Sequence, residues 1–193
     1  MIDIPVGMYR THMNDIPDYP LPAGFAFRPF RPPTPTSPGD VDAWVRVQSA
    51  AEAAFMNLTR ETFENDFGGA EPSLADRSWF VITESGREVA SITAWWWNTP
   101  SDRTLQGRVG LIHWVAVIPE YQGRKLGKAI MTKAMRRLAE NHQFAYLNTA
   151  TIRVPAIKVY LDFGFMPDMK MDRADEAWAA VRQQLKHPAL ANA

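Results

Sequence analysis

Val115-Ala116-Val117-Ile118-Pro119-Glu120-Tyr121-Gln122-Gly123-Arg124-Lys125-Leu126-Gly127-Lys128 runs from an apolar segment through a proline-broken turn into a glycine-bearing loop. Val115 to Ile118 is apolar and rich in β-branched side chains, as a buried strand requires. Pro119 removes a ladder donor and restricts Ile118 to an extended conformation, so the strand ends there. Gly123 and Gly127 allow tight backbone geometry. A helical pattern follows at once, with Ile130, Ala134 and Leu138 spaced by four and Met131 and Met135 beside them.

The first turn of such a helix carries N–H groups without intrahelical partners and the positive end of the helix dipole. A diphosphate suits that place, and Arg124, Lys125 and Lys128 surround it with positive charge. A plain strand–turn–helix connection with a solvated basic cluster would leave the same spacing. A Walker loop is excluded, because only three residues separate Gly123 from Gly127, where it needs four, and Ala129 follows Lys128. The G-x-G-x-x-G spacing is absent too, which argues against ATP hydrolysis and dinucleotide binding.

The segment resembles motif A of the GNAT superfamily of acyl-CoA-dependent N-acyltransferases, in which the amides of a (Gln/Arg)-x-x-Gly-x-(Gly/Ala) loop hold the CoA pyrophosphate. This chain offers Gln122-Gly123-Arg124-Lys125-Leu126-Gly127, with Lys125 where the family usually has its middle glycine. A second stretch, Pro155 to Phe165, resembles motif B, Ala-x-x-x-Tyr-x-x-x-Gly-Phe, through Ala156, Tyr160, Gly164 and Phe165. Helical spacing puts Ala156, Val159, Tyr160 and Phe163 on one side, and Gly164 suits the helix C-terminus. The resemblance implies one α/β domain, with a mixed central sheet flanked by helices.

The rest of the chain fits that frame. Its 193 residues suffice for one domain with a sizeable core. Lys and Arg number 21, equal to Asp and Glu, so no global field favours nucleic acid or an anionic membrane. Cysteine is absent, which rules out disulfides, thiolate metal sites and a cysteine nucleophile; no metal is expected. Met1-Ile2-Asp3-Ile4-Pro5 has no basic segment followed by an apolar run, and no stretch approaches a membrane span. A cytoplasmic protein is therefore expected.

Proline is dense up to about Asp40. Residues 1–23 read as an N-terminal arm laid over a domain formed by residues 24–193, with Phe25-Ala26-Phe27-Arg28 as the first strand and residues 31–39 as a stiff, extended connection. Asp40 is placed to cap a helix carrying Trp44, Val47, Ala51 and Phe55, and Thr59 a shorter one through Phe67. In the GNAT arrangement these helices border the acceptor site. Ser78–Thr83 and Glu88–Trp97 read as a hairpin, Gly107–Val117 as the central strand, and Phe144–Ile152 as the next. The family would end on a last pair of strands. Here Asp175 to Leu185 is instead a helix with Trp178, Val181 and Leu185 on one face. It either packs back on the sheet or meets a partner chain, which leaves a homodimer open.

By resemblance, the backbone of Val115, Ala116 and Val117 pairs with the pantetheine of acetyl-CoA, and Gln122 to Lys128 hold its pyrophosphate. Tyr160 matches the general-acid tyrosine. His113 lies on the same strand face as Val115 and Val117, and an imidazole has a pKa suited to a base, although a lone strand histidine is more often a core residue. Arg153 stands where many members have asparagine, with a phosphate or the acceptor within its reach. In Trp95-Trp96-Trp97, alternate rings face opposite ways, so Trp95 and Trp97 share a face that can wall a substrate. The expected activity is transfer of an acetyl or short acyl group to the amine of a small molecule or peptide, without a covalent enzyme intermediate. The alternative is an acyl-CoA-binding sensor or interaction module on the same fold.

Overall fold

The computed structural model describes residues 2–68, 71–96 and 109–191. They form two compact units. One comprises Met1–Pro17, Trp95–His113 and Leu138–Ala193, the other Asp18–Ala94 and Trp114–Arg137. Among the described residues the strand order is β2-β3-β4-β5-β6-β1-β7, and β5 runs through both units. No helix among these residues is long and apolar enough to cross a membrane.

In the unit built on Asp18–Ala94 and Trp114–Arg137, β2 (Phe25–Pro29) pairs antiparallel with β3 (Ser78–Thr83), and β3 with β4 (Glu88–Trp95). Helices α1 (Val41–Glu52) and α2 (Arg60–Phe67) bring an aromatic core. Phe30 stacks on Phe63 at 5.8 Å and on Phe80 at 6.1 Å, while Trp44 meets Phe63 and Phe67 edge-on. Thr59 caps α2 as expected, trading hydrogen bonds with Thr62 in a capping box.

Asp40 precedes α1 but does not cap it with its side chain. Its buried carboxylate instead accepts from Arg28 Nη1 at 2.6 Å, and from the Arg31 backbone N–H and Nη2 at 2.7 Å each. Burial alone would raise the Asp40 pKa, but the Arg31 and Arg28 hydrogen bonds overcome it and hold the carboxyl below its ordinary value. Phe55 lies beyond the end of α1 and is 46% exposed, so it leaves the predicted apolar face. Residues 31–39 are not an extended spacer. Thr34 and Ser37 exchange backbone hydrogen bonds, and Asp40 N–H donates to Arg31 O at 2.9 Å, so the chain doubles back.

In the other unit, β6 (Phe144–Ala150) pairs parallel with β5 (Val109–Val117) from Val109↔Phe144 to Leu111↔Tyr146. On its other side β6 pairs antiparallel with β1 (Pro5–Arg10), from Pro5↔Ala150 to Arg10↔Ala145. The opening segment is therefore more than an arm, and the first strand is Pro5–Arg10 rather than Phe25–Arg28. Buried Ile4, Val6 and Met8 mark its inward face by period-two alternation. Gly7 permits the fit, because a Cβ there would come within 2.0 Å of the Tyr146 hydroxyl. That hydroxyl donates to Asp168 Oδ2 at 3.0 Å, and burial together with this carboxylate pushes the phenol pKa up to about 12.

The expected last pair of strands is replaced. After helix α4 (Val154–Asp162), β7 is only Met166–Pro167, and β1 occupies the place between β6 and β7. Helix α5 (Ala174–Gln184) packs back within its own unit, burying Ala174, Ala177, Trp178 and Val181, with contacts to β1.

Candidate functional site

The quoted stretch folds as a strand, a single 3-10 turn (Pro119–Tyr121), a loop and helix α3 (Leu126–Ala139). Ile118 keeps the extended conformation that Pro119 demands, φ −62° and ψ 147°. Gln122 folds back, its Nε2 donating to Val117 O at 3.0 Å. Gly123 has φ +75° and Lys125 φ +65°. The loop thus keeps a left-handed backbone at Lys125 although a side chain stands there, at a cost of about 1 kcal/mol.

A Cβ added at Gly123 or Gly127 would meet nothing within 4 Å, so the space in front of both is open. Ala129 N–H donates to Lys125 O at 3.3 Å, starting the helical ladder. The N–H groups of Leu126, Gly127 and Lys128 precede it in the first turn of a 14-residue helix, at the positive end of its dipole. Around them, Arg124 lies over the Tyr121 ring at 4.7 Å and Lys128 over the Tyr19 ring at 4.6 Å. The helix N-terminus and these cations give the loop the charge preference of a phosphate. A pyrophosphate fits the residues present.

Upstream, the strand is not regular. Trp114 has φ +49°, which interrupts the two-residue alternation that placed His113 on one face with Val115 and Val117. Trp114 O accepts from Gln48 Nε2 at 2.8 Å, its indole N–H donates to Asp66, and its ring meets Trp44 edge-on at 5.0 Å. Val115 and Val117 are half-buried and Ala116 is buried. Sequence reasoning missed Gln48, Asp66 and the kink, since no periodicity marks a left-handed tryptophan inside a strand.

In the other unit, α4 carries Tyr160, 6% exposed and edge-on to Phe165 at 6.3 Å. On the predicted side of α4, Tyr160 and Phe163 are buried and Ala156 and Val159 half-buried. The helix closes as foreseen: Gly164 has φ +76°, and Phe165 N–H reaches back to Tyr160 O at 3.1 Å, a Schellman arrangement. Arg10 of β1 donates to Phe163 O at the same end. Arg153 is half-buried just before α4, and its carbonyl accepts from Ala156 and Ile157 N–H at 3.0 Å each. His113 is half-buried in β5. Trp95, at 1% exposure, is a core residue and not an open wall for a substrate. Trp97 lies outside the described residues.

Comparison with known proteins bears on the family and the fold. Residues 44–165 match the model of the acetyltransferase (GNAT) family. A mycothiol acetyltransferase from Sanguibacter keddieii is 31% identical over 184 residues, covering 91% of this chain and 55% of the relative. One from Streptomyces bingchenggensis is 32% identical over 155 residues, covering 78% of this chain and 46% of the relative. The chain thus spans about half the length of these curated relatives. Among solved structures, a GCN5-related N-acetyltransferase from Sphaerobacter thermophilus superposes with a TM-score of 0.65 at 18% identity, over 86% of this chain and 48% of that one. The ribosomal-protein-S18-alanine N-acetyltransferase of Escherichia coli gives 0.52 at 18% identity, over 72% and 76%. At that identity the superpositions speak for the fold alone.

Proposed function

The chain belongs to the acetyltransferase (GNAT) family, and on that premise we propose that it transfers an acetyl or short acyl group from CoA to an amine. The observation that carries this reading is the loop from Gln122 to Lys128. Left-handed Gly123 and Lys125, open space before Gly123 and Gly127, and the first turn of α3 support its reading as a pyrophosphate cradle.

Bound acetyl-CoA would supply an activated thioester, and this chain's residues would do the rest. The amides and carbonyls of Val115, Ala116 and Val117 would align the pantetheine, and Arg124, Lys125 and Lys128 would offset phosphate charge. An amine attacks only when neutral, and a lysine-like amine is mostly protonated near pH 7, so a base is required. We assign that role to His113 and the general-acid role, at the departing sulfur, to Tyr160. Arg153 is assigned to a phosphate or the acceptor. With no cysteine in the chain, direct attack by the amine is the economical route. Balanced charge supports a cytoplasmic protein with no nucleic-acid or membrane partner.

The relatives' name makes the unacetylated form of mycothiol the first acceptor to try, within a panel of small amines and peptides. The test is titration with acetyl-CoA followed by acceptor-dependent release of free CoA thiol. Failure to bind acetyl-CoA overturns the reading. Binding without release across the panel replaces it with an acyl-CoA sensor.

A further inference from the structure

We propose that Gln48 is a positioning residue: it holds the kinked backbone at Trp114 and thereby aims the Val115–Val117 main chain at the pantetheine arm of the acyl donor. This rests on the acyl-CoA reading above.

A tryptophan at φ +49° is strained by about 1–2 kcal/mol, and such a conformation persists only where its surroundings over-determine it. Two helices do so here. From α1, Gln48 Nε2 donates to Trp114 O at 2.8 Å and to Ser91 Oγ of β4 at 3.0 Å, while Trp44 packs on the indole. From α2, Asp66 accepts the indole N–H.

Gln48 is 1% exposed, and among the described residues its Oε1 has no hydrogen-bond partner. A buried, unsatisfied amide oxygen costs about 1–3 kcal/mol, so an apolar side chain would serve the core better. What a glutamine adds here is the donor, and the donor is spent on the kink.

The consequence falls on the next residues. Ile118 N–H donates to Val89 O of β4 at 3.0 Å. By strand alternation the backbone groups of Val117 and Val115 then point away from β4. Val117 O already accepts from the Gln122 side chain on that side. The kink sets the phase of this alternation, and Gln48 fixes the kink.

A Gln48→Met variant keeps length and apolar packing while removing the donor. It is titrated with acetyl-CoA and, separately, with adenosine 3′-phosphate 5′-diphosphate, which has the nucleotide and pyrophosphate but no pantetheine. We expect acetyl-CoA to bind at least tenfold more weakly and the nucleotide to bind within twofold of the parent protein. A purely structural role would weaken both alike, and that result, or unchanged acetyl-CoA affinity, overturns the proposal. If Gln48→Met does not fold, Gln48→Leu, which also removes the donor, is read by the same split. Absence of acetyl-CoA binding in the parent protein would instead sink the acyl-CoA reading itself.

Discussion

The segment Trp114–Lys128 and the strand trio β6-β1-β7 hold their backbones in opposite ways. The first departs from ordinary φ at Trp114, Gly123 and Lys125 and is kept there by side chains, among them Gln48, Asp66 and Gln122. The second is regular: β1 keeps unbroken register with β6 from Pro5 to Arg10, and none of those residues has positive φ. Backbone that must present amides to a ligand cannot spend them on a ladder, so it needs other supports. Backbone that only has to hold a sheet together spends all of them on neighbours. The first kind is costly and locally adjustable, the second cheap and indivisible.

That contrast can be broken by experiment. The largest effect is expected in the regular region: Met8→Ala, at a fully buried position of β1, should destabilise the protein by about 2–5 kcal/mol in denaturant unfolding. It should leave the acetyl-CoA affinity of the folded fraction unchanged. Tyr160→Phe should do the reverse, lowering turnover roughly 100-fold with little change in unfolding midpoint or acetyl-CoA affinity. Unchanged turnover would remove Tyr160 from the general-acid role.

Acid comes next. Glu88, like Asp40, has its pKa held below the ordinary value. Burial raises it, but its own backbone N–H, Arg46 and Arg28 together lower it further. A depressed carboxylate contributes stability that is fully present above its unfolded pKa and lost as pH falls through the folded one. Unfolding free energy should therefore drop below about pH 4, with a shallower slope in Asp40→Asn; an equal slope would discount the Arg28–Asp40–Arg31 cluster.

The smallest effect isolates strain in the irregular region. Lys125→Gly and Lys125→Ala both lose the charge, but at φ +65° the glycine variant should be more stable than the alanine variant by about 1 kcal/mol. Equal stabilities would mean that the loop relaxes.

The sequence was most legible where the backbone is least ordinary. Pro119, Gly123 and Gly164 each mark a conformation that other residues resist, and they located the loop and the end of α4. Thr59 announced α2 in the same way. The β1 strand was hidden because Val6, Met8 and their polar neighbours spell a short alternation inside a proline-dense stretch, and its partners lie far along the chain. Asp40 misled because an aspartate before a helix reads as a cap, whereas here two arginines claim its carboxylate. The clamp on Trp114 left no local mark, since Gln48, Asp66 and Ser91 come together only through tertiary packing.

The position of β1 also sets a schedule for folding. Its residues are made well before those of its partners, since Pro5 pairs with Ala150 and Tyr9 with Met166. Until those late residues emerge, β1 has neither neighbour, and β6 is completed on one side only when the opening of the chain returns to it. Contacts of such sequence separation slow folding, because loop closure must precede any gain from pairing. A nascent chain would carry β1 unmatched until β6 and β7 are made, a hazard for association that lasts over that whole interval.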